Sequence, residues 1–211
     1  MRTHYYREIP MSKFYEEYEM IRHLAESGTS TEEGMRTLID HCSLKYPGGI
    51  WQKAADIPYS EDTDKITFWL REILQSRTWP ENIEAIWFAV CCPEYAKTFD
   101  LRMTGSECFI TESDGFFEDI IFSESFIPKK QYARSNALKE LYRLTDGMDY
   151  ASDAAAYVLA LGFAALSVSE ACRRADVTTV PGKNGILHIA AGFETGDMMI
   201  LNSMNRQQDL Q

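Results

Sequence analysis

Between positions 107 and 124 the chain carries Glu107, Glu112, Asp114, Glu118, Asp119 and Glu124, its densest set of potential metal ligands and acid–base groups. A hard cation needs several such oxygens converging on one point. The spacing does not supply a calcium loop: Asp114-Gly115-Phe116-Phe117-Glu118 lacks the alternating acids of that motif and places Phe where small turn residues belong. Nucleophilic catalysis would need Cys or Ser beside a His and an orienting carboxylate. His41 adjoins Cys42 in sequence, yet consecutive helical residues diverge by about 100°, so the pair is no dyad. His188 sits in an apolar run and reads as a structural histidine, although Cys91 or Cys108 could approach it in space. The vicinal Cys91-Cys92 faces opposite sides of a buried strand.

Esterase, zinc-protease and nucleotide-binding signatures are missing from the sequence. Pro181-Gly182-Lys183-Asn184-Gly185 precedes a strand pattern and reads as a surface turn rather than a phosphate cradle. Gly192-Phe193-Glu194-Thr195-Gly196-Asp197 reads as a hairpin loop. There Gly192, Gly196 and Asp197 are the structural turn residues, with Gly196 free to take positive φ and Asp197 able to bond the turn backbone. These patterns imply no catalytic residue, no cofactor and no metal.

Charge placement carries more information. The net charge is −11, from 21 basic and 32 acidic residues. Residues 1–80 hold 10 basic and 13 acidic residues; residues 129–211 hold 9 of each. The 48 residues of 81–128 hold 10 acids against Lys97 and Arg102 alone, a net of −8. Such a balance argues against nucleic acid as a direct partner, since phosphate contacts need clustered Lys and Arg. It fits a basic partner. Phe109, Phe116, Phe117, Phe122 and Phe126 interleave with the acids, and exposed aromatics inside a charged rim are the anatomy of a protein interface. Glu112, Asp114, Phe116, Phe117, Glu118 and Asp119 are therefore the candidate partner-binding residues.

The elements that must position them follow from periodicity. Helical spacing of apolar residues appears over 12–27, 31–46 and about 62–75, with Ser30 or Thr31 capping the second helix. Ile86–Cys92 is apolar at every position, as in a strand covered on both faces. Thr98–Thr104 alternates, Gly105-Ser106 marks a turn, and Cys108–Thr111 reads as a third strand of a meander. Phe116–Phe126 has no clean period and reads as loop or short strand. Helices follow over about 135–144 and from a Ser152 cap to about Arg174, then a hairpin of Ile186–Phe193 and Met198–Leu201. The order predicts one α+β domain over 1–211: helices in 1–80, a mostly antiparallel sheet, two later helices packed on it and a C-terminal hairpin.

Ala154–Ser169 is 16 residues without charge, short of the roughly 20 a bilayer core requires, and reads as a buried helix. The opening Met-Arg-Thr-His-Tyr-Tyr-Arg-Glu lacks the apolar core of a signal peptide. The odd cysteine count, five, without metal spacing fits a reducing cytoplasm.

Thr104-Gly105-Ser106 after a strand, the acidic-aromatic stretch, the Ala-rich helix and the late Gly-Phe-Glu-Thr-Gly-Asp string together resemble the bacterial cytosolic immunity proteins of polymorphic toxin systems. The likeness spans about 84–202 and leaves the N-terminal helical region without a counterpart. It implies a non-catalytic α+β protein that binds and blocks a cognate, often basic, toxin. Two other functions fit the composition: a carboxylate- or metal-dependent hydrolase using 107–124 with His188, and a homo-oligomeric structural protein.

Overall fold

The computed structural model describes residues 2–7, 12–75, 79–92, 98–113, 118–145, 153–195 and 197–205. Within them the fold is α+β, with one mixed sheet of seven strands. Strand β1 (Arg2–Arg7) precedes four helices, α1 (Tyr15–Glu26), α2 (Thr31–Lys45), α3 (Ile50–Ala55) and α4 (Tyr59–Gln75). Strands β2 (Ala85–Cys91), β3 (Asp100–Ser113), β4 (Glu118–Phe126) and β5 (Tyr132–Ala133) come next. Helices α5 (Asn136–Leu144) and α6 (Ala154–Ala175) lead to the hairpin of β6 (Ile186–Phe193) and β7 (Met198–Asn205). The sheet order is β1-β4-β3-β2-β6-β7, with β5 also paired to β3. Every pairing is antiparallel except β2 with β6, which run parallel.

Local chemistry starts the helices. The Ser30 hydroxyl accepts from the Glu33 amide at 3.3 Å, and Glu32 and Glu33 lie in the positive first turn of α2. Ser135 accepts from the Leu138 amide at 2.9 Å to open α5. Helix α6 is capped by Asp153, whose carboxylate accepts from the Ala156 amide at 2.8 Å; the expected cap, Ser152, lies outside the described residues.

Helix α6 is the centre of the molecule. It packs on α1, α2 and α4 on one side and on β2, β6 and β7 on the other. Its length and apolarity would suffice to cross a membrane, but 89% of its most apolar 18-residue window is buried inside the fold. Protein contacts therefore account for its missing charges. Two glycines set its approach to α2: a β-carbon on Gly162 would stand 2.8 Å from Leu38 Cδ1, and one on Gly34 would stand 2.7 Å from Leu166 Cδ1.

Strand β2 is buried along its whole length, as its uninterrupted apolar run predicts. Ile86, Phe88 and Val90 join the main core with α6, while Ala85, Trp87 and Ala89 join a smaller cluster with Phe122, Ala190 and Met198. Alternate side chains thus enter two separate cores.

Four features depart from the expectations above. Residues 2–7, inside the region expected to be helical, pair with β4 as an edge strand. A short helix, α3, follows the Pro47-Gly48-Gly49 break. Where 116–126 was expected to be loop or short strand, residues 118–126 form a nine-residue strand, β4, and 116–117 lie outside the described residues. Gly105-Ser106 is a bulge within one continuous β3 rather than a turn between two strands, because the register to β4 shifts there. A β-carbon on Gly105 would come within 3.2 Å of Phe126 and Ile83, and the Ser106 hydroxyl accepts from the Cys108 and Ser123 amides at 3.1 and 2.9 Å. The hydroxyl supplies partners that the interrupted ladder lacks.

Candidate partner-binding site

Pairing of β3 with β4 gathers the acidic positions at one end of a hairpin. Glu112 is the Cα partner of Asp119, and Ser113 is the partner of Glu118. On the other side of β4, Arg7 of β1 is the Cα partner of Asp119. Three of the six candidate residues, Glu112, Glu118 and Asp119, therefore share one end of the sheet through backbone register. Asp114, Phe116 and Phe117 lie outside the described residues.

Other acids of the same segment have partners inside the fold. Glu124 Oε1 is 2.8 Å from an Arg102 guanidinium nitrogen, and the two side chains are only 8% and 13% exposed. The same guanidinium donates to Gln131 Oε1 at 2.7 Å and to Glu194 Oε1 at 3.2 Å. Glu84 pairs with Lys183 and accepts from the Phe109 amide at 2.7 Å. Arg102 and Lys183 thus neutralise part of the excess. The Asp100 carboxyl is pushed up by burial.

The interleaved aromatics divide in the same way. Phe122 and Phe126 are core residues, and Phe109 stacks on the His188 ring with centroids 4.4 Å apart. Burial lowers the His188 pKa, with Glu84 opposing it. Glu84, Lys183, Asn184, Ile186 and His188 line a cleft of about 170 Å³, smaller than the several hundred Å³ usual for a small-molecule site.

Burial suppresses the chemistry of three of the five cysteines. Burial pushes the Cys42, Cys91 and Cys172 thiols up to about 12, so none is a ready thiolate near neutral pH. Cys91 is buried as the last residue of β2, whereas Cys92, expected on the opposite face of the same strand, lies just past its end and is exposed. Cys42 points into the core while His41 lies 3.6 Å from Glu16 Oε1, so the two do not converge.

The late Gly-Phe-Glu-Thr-Gly-Asp string does connect β6 to β7. Gly192 is required by close approach: a β-carbon there would stand 2.3 Å from the Asp197 carbonyl oxygen. That carbonyl accepts from the Phe193 amide at 2.9 Å, and the Asp197 carboxylate accepts from the Tyr157 hydroxyl at 2.8 Å, tying the hairpin to α6. Gly196 lies outside the described residues.

One cluster has no counterpart among the sequence motifs. Glu16 and Glu17 of α1 face His41 and Lys45 of α2, residues one helical turn apart. Lys45 Nζ donates to Glu16 Oε2 and to Glu17 Oε1, both at 2.7 Å, and the Tyr46 hydroxyl donates to Glu17 Oε1 at 3.0 Å. The only local signal was an acidic pair on one helix and an i, i+4 His/Lys pair on the next. Those patterns are common on solvated helix faces, and only the tertiary packing of α1 on α2 brings them together.

Comparison with models of protein families, with curated proteins and with solved structures finds no match.

Proposed function

We propose that this protein works by contact: an acidic α+β protein that captures a basic protein partner, in the manner of an immunity protein occluding a toxin. The observation that carries the reading is the register of β3 on β4, which sets Glu112 opposite Asp119 and Glu118 beside them at one end of the sheet. Glu84 and Glu124 are held by Lys183 and Arg102 and serve the fold. A cluster of like charge steers an oppositely charged partner during diffusion and rejects others of its own sign. Asp114, Phe116 and Phe117, between the two strands in sequence, complete the proposed surface. The cytoplasm is the compartment that goes with this role.

The test is capture from lysate of the native host, eluted across a salt gradient. Wild-type protein is expected to retain a basic polypeptide that salt releases. The triple variant Glu112→Lys, Glu118→Lys, Asp119→Lys should fold and lose it. Equal capture by both proteins, or a retained partner that is acidic, overturns the proposal.

A further inference from the structure

We propose that the seam between α1 and α2 is a site for a divalent transition metal, with Glu16, Glu17 and His41 as ligands and the Lys45 ammonium as the resident counter-ion that the metal displaces. The inference lies outside the partner-binding surface and does not depend on it.

Geometry supplies the first argument. Each of the three residues offers one ligand atom, and those atoms all lie within 4.8 Å of one another. His41 Nε2 and Glu16 Oε1 are 3.6 Å apart. Two ligands bound at about 2.0–2.2 Å to a tetrahedral ion stand roughly 3.3–3.6 Å from each other. A small rotation of side chains closes the site.

Unmet valence supplies the second. The Glu17 side chain is 0% exposed, and its Oε2 is buried with no hydrogen-bond partner. His41 Nε2 is also buried without a hydrogen bond. An orphaned carboxylate oxygen away from water is costly. One cation between the helices would engage the Glu17 carboxylate and the imidazole together. A single ammonium leaves two carboxylates one positive charge short, and a divalent ion supplies it.

Exchange is feasible because the two kinds of group differ in freedom. Lys45 is 37% exposed on a flexible stem and can swing its charge into water, whereas Glu17 cannot leave the interior. The Tyr46 hydroxyl, bonded to Glu17 Oε1, would hold that carboxylate in place from outside the ligand set. A neutral imidazole among the ligands selects zinc- or cobalt-type ions over magnesium and calcium. Cys42, one residue from His41, is directed into the core and takes no part.

The experiment is titration of chelator-treated full-length protein with Zn²⁺ by calorimetry and with Co²⁺ by visible absorption. One saturable equivalent is expected, with the absorption of a low-coordinate cobalt site. His41→Ala, at a partly exposed position that should tolerate truncation, is expected to weaken binding at least about tenfold. Lys45→Met is expected to tighten it about tenfold, since the competing charge is gone. No saturable binding of either ion, binding unchanged by His41→Ala, or weaker binding in Lys45→Met would each overturn the proposal. Glu17→Gln extends the series if that variant folds.

Discussion

Gly162 and Leu38 interlock: the glycine leaves a space on α6 into which the leucine of α2 fits, so that a β-carbon would come within 2.8 Å of Cδ1. Gly34 and Leu166 make the reciprocal contact, at 2.7 Å. The central helix and α2 are therefore held close by two glycines, one on each.

Gly162→Val should destabilise the protein by about 1–3 kcal/mol through overpacking. Gly162→Ala should lie within about 1 kcal/mol of wild type, because the gain in helix propensity offsets a clash with the mobile end of one leucine. Adding Leu38→Ala to Gly162→Val should cost less than the sum of the single changes. Urea denaturation of the four proteins measures the coupling; strict additivity would show that the contact does not govern the packing.

Asp62 fastens α4 to the start of α5. Its buried carboxylate accepts from the Ser135 hydroxyl at 2.5 Å and from the Asn136 and Ala137 amides, both at 3.1 Å. Asp62→Ala leaves those donors without a partner and removes a cap, for an expected loss of about 2–4 kcal/mol. A urea midpoint equal to wild type would contradict this.

Arg102→Ala strands a Glu124 carboxylate that is 8% exposed, and should cost about 3–5 kcal/mol, the usual result of unpairing a buried charge. Converting Glu124 to Gln in the same molecule should recover a large part of that loss. Thermal melting of the two variants checks the order; a double variant less stable than the single one would refute it.

His188 gives stability a pH dependence of defined sign. Burial lowers its folded-state pKa below the ordinary 6.5, so the unfolded chain binds the proton more readily. This contribution is fully present above 6.5 and is lost as pH falls from there through the folded-state value. His188→Gln should flatten the stability profile between pH 7 and the acid limb, at the expense of the stack on Phe109. A wild-type profile with no fall below neutrality, or one unchanged in the variant, would remove His188 from the account.

The partner-binding reading predicts a kinetic signature as well. Reversing Glu112, Glu118 and Asp119 should reduce the association rate by about tenfold or more at low salt and flatten its ionic-strength dependence, with a smaller effect on dissociation. Stopped-flow mixing with the captured partner measures both rates.

Much of this fold was legible in the sequence where burial is locally periodic. The uninterrupted apolar run of β2 announced two covered faces, and the charge-free stretch of α6 announced a core helix. The missed elements owe their structure to distant partners. Residues 2–7 form a strand through pairing with β4, more than a hundred positions later. Gly105-Ser106 carries the composition of a turn, and only the shifted ladder to β4 makes it a bulge. The acidic segment was visible as a count, but which acids are neutralised depended on tertiary pairing, of Glu84 with the distant Lys183 and of Glu124 with Arg102 across the sheet. Glu17 and His41 meet across a helix pair, a juxtaposition that no local spacing encodes.

The parallel pairing of β2 with β6 sets Ala85 beside His188, so the centre of the sheet joins segments a hundred residues apart. During synthesis, α1 to α4 and the β2–β3–β4 meander emerge long before the strand that completes them. Until β6 arrives, one edge of β2 lacks its neighbour and the sheet-facing side of α6 has only part of its cover. Contacts of such long sequence separation slow folding and leave apolar surface exposed while the chain waits. The nascent protein should therefore engage holding chaperones late in translation, and truncation before Ile186 should yield aggregates rather than a smaller stable domain.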